Sequence, residues 1–414
     1  MSKKSPQLRF EGFTDDWEER KLGDVFSERS ERSSEGELIS VTINSGVVKA
    51  SELDRKDNSS NDKSNYKKVE VGDIAYNSMR MWQGASGYSS YDGILSPAYT
   101  VIIPKEGTDS KFFAYDFKRH DMIQTFKRNS QGLTSDTWNL KFPTLKSVKV
   151  MVPCMEEQTK ISNFFERLDT TITLHQRKLD LLKEQKKGFL QKMFPKNGAK
   201  VPELRFAGFA DDWEERKFDE CFNFPVSTNS LSRALLNYDE GDIQSVHYGD
   251  ILIKYPAILN VKNDKIPYIT DSSFEKYKSN LLENGDLIFA DAAEDETVGK
   301  AVEVNGLTEE NLVAGLHTIV ARSKDKKAEF FLGYYINSNT YHRQLLRLIQ
   351  GSKVSSISKG NLQKTLVSFP KDFEEQQKIG AFFKKIDDTL ALHQRKLDLL
   401  KEQKKGFLQT MFAK

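Results

Sequence analysis

Apolar side chains recur at alternating spacings of four and three residues along two long stretches of the chain. This heptad pattern predicts two long α-helices, each with a coiled-coil seam. The first would run from about Glu157 to Met193, on the order of 55 Å at ~1.5 Å per residue, and would end before Pro195 and Gly198. The two seams comprise Ile161, Phe165, Leu168, Ile172, His175, Leu179, Leu182, Lys186, Phe189 and Met193, and then Ile379, Phe383, Ile386, Leu390, His393, Leu397, Leu400, Lys404, Phe407 and Met411.

Both helices end in a duplicated segment. HQRKLDLLKEQKKGFLQKMF begins at His175 and HQRKLDLLKEQKKGFLQTMF begins at His393, so 19 of 20 positions match. A second pair of repeats opens each half, with QLRFEGFTDDWEERK at Gln7 and ELRFAGFADDWEERK at Glu203. The segments between these frames are mostly dissimilar, apart from parallels such as Gly72-Asp73-Ile74 and Gly285-Asp286-Leu287. We expect the frames to meet the same partner twice, and the inserts to meet two different targets.

The inserts contain patterns typical of both β-strands and α-helices. Short apolar runs between turn residues predict β-strands at 38–43, 98–103 and 251–253, and helix-like stretches cover 111–128 and 329–348. The predicted fold class is therefore α+β, with two α+β domains separated by two long antiparallel coiled-coil helices about a pseudo-two-fold axis. The predicted boundaries are 1–154 and 199–372 for the two domains, and 155–198 and 373–414 for the two spacer helices.

Each seam has two polar interruptions, His175 and Lys186 in the first copy and His393 and Lys404 in the second. A metal or proton site at the histidines is one interpretation. A polar residue that sets the register, or a side chain that reaches out to water, is favoured, since no carboxylate or cysteine joins the histidine on that face.

Gly188 and Gly406 lie late in the two helices and cost up to about 1 kcal/mol each relative to alanine. They would allow the close approach of a partner or a bend, or they are tolerated near a fraying end.

The outer faces of the two helices are basic and nearly identical. A solvated helical surface is the simple explanation, but such a surface tolerates most polar residues. We therefore predict that a protein partner contacts each copy, so that two copies of one partner bind. The candidate partner-binding residues are Arg177, Lys178, Lys183, Lys187, Arg395, Lys396, Lys401 and Lys405.

Composition narrows the class of protein. The 414 residues are 38% hydrophobic and 29% charged, which is typical of a soluble globular protein. Without a long apolar run or a signal peptide, we expect a cytoplasmic protein with no membrane partner. Two isolated cysteines exclude a disulfide framework and a cysteine zinc site. The net charge is only +2, so any DNA surface must come from local segregation of charge.

Such segregation occurs within residues 111–149, where eight basic residues stand against three acidic ones, and this stripe suits phosphates. Polar loops follow at 129–135 and 350–356, and an amide-rich and arginine-containing segment lies at 77–83, opposite an acidic counterpart at 291–297. Ordinary surface turns are the alternative, and Trp82 would then belong to the core. The candidate DNA-binding residues are Asn77, Arg80, Trp82, Gln83, Lys127, Arg128, Ser130, Gln131, Thr134, Ser135, His247, Tyr248, Lys254, Ser352, Lys353 and Ser355.

Catalytic motifs are missing from the sequence. It has no Asn/Asp-Pro-Pro-aromatic loop, no glycine-rich nucleotide loop and no restriction-nuclease signature. We therefore predict a protein that is not an enzyme, with no metal site and no cofactor of its own.

The frames resemble the specificity subunits of type I restriction–modification systems across essentially the full length. The similarity rests on the Leu-Arg-Phe-x-Gly-Phe openings at Leu8 and Leu204, the Glu-Gln approaches after Pro153 and Pro370, and the repeated helices. This resemblance implies that each insert is a target recognition domain for one half of a bipartite, asymmetric DNA site, with the helices as a ruler for the gap.

The resemblance also implies partners. Two modification subunits would methylate adenines with S-adenosylmethionine, and restriction subunits would use ATP and Mg²⁺ to translocate and cleave double-stranded DNA. The main rival is a coiled-coil adaptor that presents two protein-binding domains. A nuclease whose catalytic motif is not recognisable in the sequence is a more remote alternative.

Overall fold

Both heptad stretches form continuous helices in the computed structural model. They run from Met155 to Lys192 and from Phe373 to Thr410, 38 residues each. Every position of the two predicted seams is buried or half-buried. The apolar period of about 3.5 residues therefore identified the packed face of each helix correctly.

The structure describes residues 4–54, 59–135, 137–196, 198–270, 272–349 and 354–413. The chain divides into two units. Unit 1 comprises residues 1–177 and 395–414, and unit 2 comprises residues 178–394. Each unit thus contains one insert, the adjoining part of one long helix and the opposite end of the other.

Unit 1 is built on a four-stranded antiparallel sheet of order β2-β9-β6-β7, with the pairs β1-β10, β3-β4 and β5-β8 beside it. Its strands are β1 Glu18–Lys21, β2 Phe26–Glu28, β3 Ile39–Thr42, β4 Gly46–Lys49, β5 Lys67–Val69, β6 Ile74–Asn77, β7 Ser86–Tyr88, β8 Gly93–Leu95, β9 Tyr99–Pro104 and β10 Lys149–Val152. Its helices are α1 Leu22–Val25, α2 Ser110–Asp116, α3 His120–Asn129, α4 Phe142–Leu145 and the start of α5 Met155–Lys192.

Unit 2 has a five-stranded sheet of order β12-β21-β17-β19-β15 and a four-stranded sheet of order β13-β16-β14-β20, with the pairs β11-β23 and β18-β22. Its strands are β11 Glu214–Lys217, β12 Phe222–Asn223, β13 Leu236–Asn237, β14 Gln244–Val246, β15 Ile258–Asn260, β16 Tyr268–Ile269, β17 Leu287–Ala290, β18 Ala292–Ala293, β19 Ala301–Asn305, β20 Leu312–Ala314, β21 Thr318–Ser323, β22 Ser355–Ser356 and β23 Leu366–Phe369. Its helices are α6 Phe218–Cys221, α7 Tyr248–Ile253, α8 Phe274–Tyr277, α9 Phe331–Ile336, α10 Asn339–Leu346, α11 Lys359–Gln363 and the start of α12 Phe373–Thr410.

The repeated frame makes the same contacts in both units. Arg9 donates two hydrogen bonds of 2.8 Å to the buried Glu157 carboxylate. Arg205 does the same to Glu375 at 2.7 and 2.8 Å. A bidentate pair of this kind is geometrically specific, because both guanidinium donors must face both oxygens. The opening motif therefore anchors each insert to the first turn of its own long helix.

Antiparallel helix packing is present inside unit 1. Phe164 packs edge-on against Phe407, with ring centroids 5.1 Å apart, and Lys404 forms an ion pair with Asp169 at 2.5 Å. Contacts that advance along α5 thus move backwards along α12. This confirms the predicted antiparallel direction within the unit.

Unit 2 repeats this arrangement with the helices exchanged. Phe189 packs against Phe382 at 5.0 Å, and Lys186 pairs with Asp387 at 2.5 Å. The seam lysines are therefore not directed to water, and their pairing across the two helices fits polar residues that set the register. Each neutralises an aspartate of the opposite helix.

Two secondary-structure predictions were wrong in detail. The apolar run 251–253 belongs to helix α7, not to a strand, because His247 caps the turn by accepting a hydrogen bond from the Gly249 amide. The stretch 111–128 is two helices, α2 and α3, and the stretch 329–348 is likewise split into α9 and α10. In both stretches the helix-like composition continues across the break, and periodicity alone does not locate it.

Candidate nucleic-acid interface

The first candidate segment of unit 1 follows the buried strand β6. Asn77 ends that strand, and its side chain accepts a hydrogen bond from the Met79 amide at 3.0 Å. Met81 is fully buried and fixes a short 3-10 helix. Arg80 is exposed and donates to the side-chain amide oxygen Oε1 of Gln83 at 3.3 Å. The loop therefore holds a guanidinium and an amide side by side on a rigid base.

The polar loop 129–135 is linked to this segment through the residues that follow it, since the Gln131 amide donates to the Asn139 carbonyl at 3.0 Å. Trp82 packs edge-on against Trp138, with ring centroids 5.2 Å apart, and the Leu140 amide donates to the Ser78 carbonyl at 2.8 Å. Lys127 lies over the Trp138 ring at 5.6 Å. Folding thus joins two candidate segments that are about fifty residues apart in the sequence, and Trp82 is half-buried between them.

Several candidate side chains of this loop face solvent. Gln131, Thr134 and Ser135 are exposed, as are Lys127 and Arg128 on the last turn of α3. Ser130 is different, because its hydroxyl donates to the Phe126 carbonyl at 2.8 Å and closes the end of the helix. The exposed set combines two cations with amide and hydroxyl groups, which suits both phosphates and base edges.

The basic stripe is not one continuous surface. Lys111 pairs with Glu166 at 2.7 Å, and the buried Arg119 pairs with Asp116 at 2.6 Å. Lys118 donates to two backbone carbonyls, and burial lowers its pKa to about 8. Lys149 likewise pairs with Glu19 at 2.7 Å. Four of the eight predicted cations are therefore engaged within the unit itself, a use that their spacing in the sequence does not reveal.

In unit 2 the same two segments also meet. Strand β18, which follows Asp291, pairs with β22, so that Ala293 lies opposite Ser355. The Ile357 amide donates to the Asp291 carbonyl at 2.9 Å. The candidates Ser352 and Lys353 lie outside the described residues. The pairing of Ser355 nevertheless places the end of the second polar loop beside the acidic counterpart segment.

The three other candidates of unit 2 lie on or next to α7. His247 is buried, its Nδ1 accepts from the Gly249 amide at 3.1 Å, and burial lowers its pKa. Lys254 pairs with Asp250 at 2.9 Å and donates to the Tyr238 hydroxyl at 2.6 Å. Tyr248 is half-buried, with its ring against His247. Of these candidates, Tyr248 and Lys254 have accessible side-chain surface, and the imidazole of His247 serves mainly as a helix cap.

The predicted partner-binding faces are accessible. All eight candidate cations are exposed, and none forms an ion pair with another residue in the described part of the chain. Each long helix also exposes two leucines outside the seam. Leu174 and Leu392, and likewise Leu181 and Leu399, hold the same positions of the two repeats and are 52–65% exposed. Sequence reasoning missed these leucines, although their repetition outside the seam was a usable signal.

A protein-family model described as the type I restriction modification DNA specificity domain matches residues 14–184 and again residues 210–402. The two matches together cover most of the chain. The chain belongs to the type I restriction–modification DNA specificity family. Each match contains one insert and most of the long helix that follows it, so the family unit is an insert with its helix.

Curated relatives agree with this family. The chain is 20% identical over 348 residues to the type I restriction enzyme MjaVIII specificity subunit of Methanocaldococcus jannaschii, covering 80% of this chain and 77% of the relative. It is 24% identical over 208 residues to the putative MjaX specificity subunit of the same organism, covering 49% and 46%.

Solved structures share the fold. The crystal structure of a type I restriction–modification S subunit from M. genitalium matches with a TM-score of 0.58 and 14% identity, covering 99% of both chains. A structure titled for complex assembly and conformational transition of the type I R-M system matches with a TM-score of 0.52 and 17% identity, covering 96% of this chain and 97% of the other. This similarity supports the predicted α+β fold with long helices.

Two further observations apply to the part of the chain that the structure describes. It contains no group of three or more histidine, cysteine, aspartate or glutamate residues placed to hold a metal ion. None of its helices combines the length and the apolar character needed to cross a bilayer.

Proposed function

We propose that this specificity-family chain reads a bipartite, asymmetric DNA site, with one target recognition domain in each unit. The supporting observation is that the two units share their frame contacts but carry different inserts, and that these inserts differ in the candidate segment after the Gly-Asp strand. After strand β6, unit 1 presents Asn77, Arg80 and Gln83, while the corresponding segment after strand β17 of unit 2 begins with Asp291. Different side chains on matching scaffolds suit two unlike half-sites.

We further propose that the chain leaves the chemistry to its partners. Two modification subunits would dock on the repeated faces of the long helices, where exposed cations surround exposed leucines. An apolar centre with a charged rim is typical of a protein interface. Adenine methylation with S-adenosylmethionine, and cleavage with ATP and Mg²⁺ by restriction subunits, would then belong to those partners.

Methylation profiling of a genome tests the proposal. Cells that contain the chain with its modification subunits should carry methylated adenines in one split motif, and cells that lack only this chain should lose that motif. An unchanged methylation pattern after deletion would contradict the proposal.

Binding of the assembled complex to duplex DNA provides a second test. If exposed cations such as Lys127 and Arg128 neutralise phosphates, affinity should fall steeply with salt, by a factor on the order of 10³ or more between 50 and 200 mM for six or more phosphate contacts. Lys127→Glu with Arg128→Glu should weaken binding to all sequences alike. A flat salt response would favour the protein-adaptor alternative.

A further inference from the structure

An unusual turn of unit 2 lies at the end of the five-stranded sheet where its inner strand β17 ends and its inner strand β21 begins. Ala290 and Thr318 are paired across the sheet, so Asp291 and His317 are neighbours just beyond it. The Asp291 amide donates to the His317 carbonyl at 3.0 Å. The two side chains also meet, with His317 Nδ1 3.2 Å from Asp291 Oδ1. Because a carboxylate only accepts, Nδ1 donates in this hydrogen bond.

His317 has a strained backbone. Its φ of 54° is in the left-handed region, which a non-glycine residue adopts only when its surroundings hold it there. The neighbouring contacts supply that restraint. The Gly315 amide donates to the Val246 carbonyl at 2.9 Å, and the Thr318 hydroxyl donates to the Gly315 carbonyl at 2.7 Å. Glycine adopts this conformation without strain, so a histidine at position 317 is present at a cost in backbone free energy.

Tyr248 completes the cluster. Its ring lies edge-on to the His317 ring at 5.2 Å and 77°, and its amide donates to the Leu316 carbonyl at 3.4 Å. The side chain of His317 is 50% exposed and that of Asp291 is 27% exposed. Within the described residues, neither His317 Nε2 nor the Tyr248 hydroxyl has a hydrogen-bond partner. The cluster therefore offers unused polar atoms at an accessible edge.

The position of this cluster in unit 2 corresponds to that of a candidate DNA-binding segment in unit 1. It stands after β17, as the Asn77–Gln83 segment stands after β6 in unit 1, and next to the β18–β22 pair that carries Ser355. Burial raises the pKa of the Asp291 carboxyl, and the neighbouring His317 acts in the opposite direction. A partly desolvated carboxylate gains more from a new hydrogen-bond donor than one in water does. Acidic side chains accept from the amino group of cytosine in the major groove.

We propose that Asp291, His317 and Tyr248 form the base-reading centre of unit 2, and that this centre takes a base edge carrying an amino donor, cytosine in preference to adenine. Asp291 accepts from the amino group, while His317 orients the carboxylate and contacts the adjoining base. The proposal rests on the proposed function, because it requires unit 2 to read one half-site. It adds the residues and the kind of base that this half-site contains.

The test uses the full chain with its modification subunits and one DNA duplex for each single-base change in the split motif found by methylation profiling. Asp291→Asn and His317→Gly should each reduce discrimination at one or two positions of one half-site by about tenfold or more, the loss expected for one base contact. Discrimination in the other half-site should be unchanged. Arg80→Ala is the matched control, and should relax only that other half-site.

His317→Gly separates reading from folding. Because glycine adopts the left-handed region without strain, the variant should melt at or above the temperature of the wild-type chain and still lose discrimination. A lower melting temperature with intact discrimination would assign His317 a structural role and overturn the proposal. So would a half-site whose preferences survive both substitutions. If the wild-type complex itself yields no split motif, the proposed function fails first, which is a distinguishable result.

Discussion

Each unit neutralises a buried aspartate with an arginine, but the arginine comes from a different position of the sheet in the two units. Each has a Gly-Asp turn whose aspartate is buried, Asp73 before β6 and Asp286 before β17. In unit 1 the cation is Arg29, which follows β2 and donates to Asp73 at 2.8 and 3.0 Å. In unit 2 it is Arg322 of β21, which donates to Asp286 at 2.7 Å through two nitrogens.

Strand pairing shows how close this exchange is. Phe26 of β2 lies opposite Pro104 of β9, and Phe222 of β12 lies opposite Ser323 of β21. The position of Arg322 in unit 2 thus corresponds to Ile103 in unit 1, one strand away from Arg29. In both units a guanidinium lies beside the buried carboxylate and neutralises it, although the arginine comes from a different part of the sheet in each.

We expect the largest loss of stability when one of these arginines is replaced. Arg29→Met should destabilise unit 1, and Arg322→Met unit 2, each by about 3–5 kcal/mol, because a buried carboxylate loses its counter-charge. Hydrogen exchange of the full chain, followed separately for peptides of the two units, measures this. Adding Ile103→Arg to the Arg29→Met variant should recover much of the loss.

Arg32→Met is the matched control for these arginines, since Arg32 is exposed and makes one hydrogen bond to Asn65. It should cost about 1 kcal/mol or less. A failed rescue by Ile103→Arg would show that the two turns are not equivalent.

Glu303 of unit 2 lies where unit 1 has no acidic residue, and its burial should make the stability of unit 2 depend on pH. It lies opposite Leu287 of β17, where unit 1 has Tyr88 opposite Ile74. It accepts from the Phe330 and Gly333 amides, and burial raises its pKa from 4.5 to about 7. The pKa of Glu303 is higher in the folded state than in the unfolded state. The contribution of the protonated carboxyl to the free energy of unfolding is therefore fully present below pH 4.5 and is lost as the pH rises through 7.

Unit 2 should therefore lose up to about 3 kcal/mol between pH 4.5 and 8 through this carboxyl. Glu303→Gln should remove this part of the pH dependence and leave the exchange of unit 1 peptides unchanged. Equal pH profiles for the wild type and the variant would mean that Glu303 titrates normally.

The ion pairs that the seam lysines form should differ in strength between the units. Lys186 and Asp387 are 19% and 14% exposed, while Lys404 and Asp169 are 28% and 38% exposed. A tyrosine hydroxyl also donates to each aspartate, from Tyr334 at 2.9 Å and from Tyr115 at 3.0 Å. Less solvent screening should make the unit 2 pair the stronger one.

We expect Lys186→Met to cost about 2 kcal/mol and Lys404→Met about 1 kcal/mol or less. Double-mutant cycles with asparagine in place of Asp387 or Asp169 isolate the coupling in each unit. A larger coupling for Lys404 would reverse the ranking that exposure suggests.

The smallest effect should be identical in both units. An added methyl group at Gly188 or Gly406 would meet no atom within 4 Å, so Gly188→Ala and Gly406→Ala should each stabilise the chain by up to about 1 kcal/mol. Thermal melting checks this. If either variant gains stability but binds modification subunits less tightly, the glycines serve the close approach of a partner.

Much of the scaffold could be predicted from the sequence. The two helices, their packed faces and the two-unit plan follow from heptad spacing and repetition, because both signals are local and survive any arrangement of the inserts. The Gly-Asp turns were also recognisable as equivalent. By contrast, nothing in the sequence indicated that residues 251–253 would be helical, since a three-residue apolar run suits either state.

The candidate site was decided by the tertiary structure. Side chains such as Lys111 and Lys127 look alike in the sequence, and only folding placed Glu166 beside the first and Trp138 beside the second. Likewise, the contact between Asp291 and His317 joins residues 26 positions apart, across two paired strands. Periodicity shows which face of an element is buried, but long-range contacts determine which polar groups remain available to bind DNA.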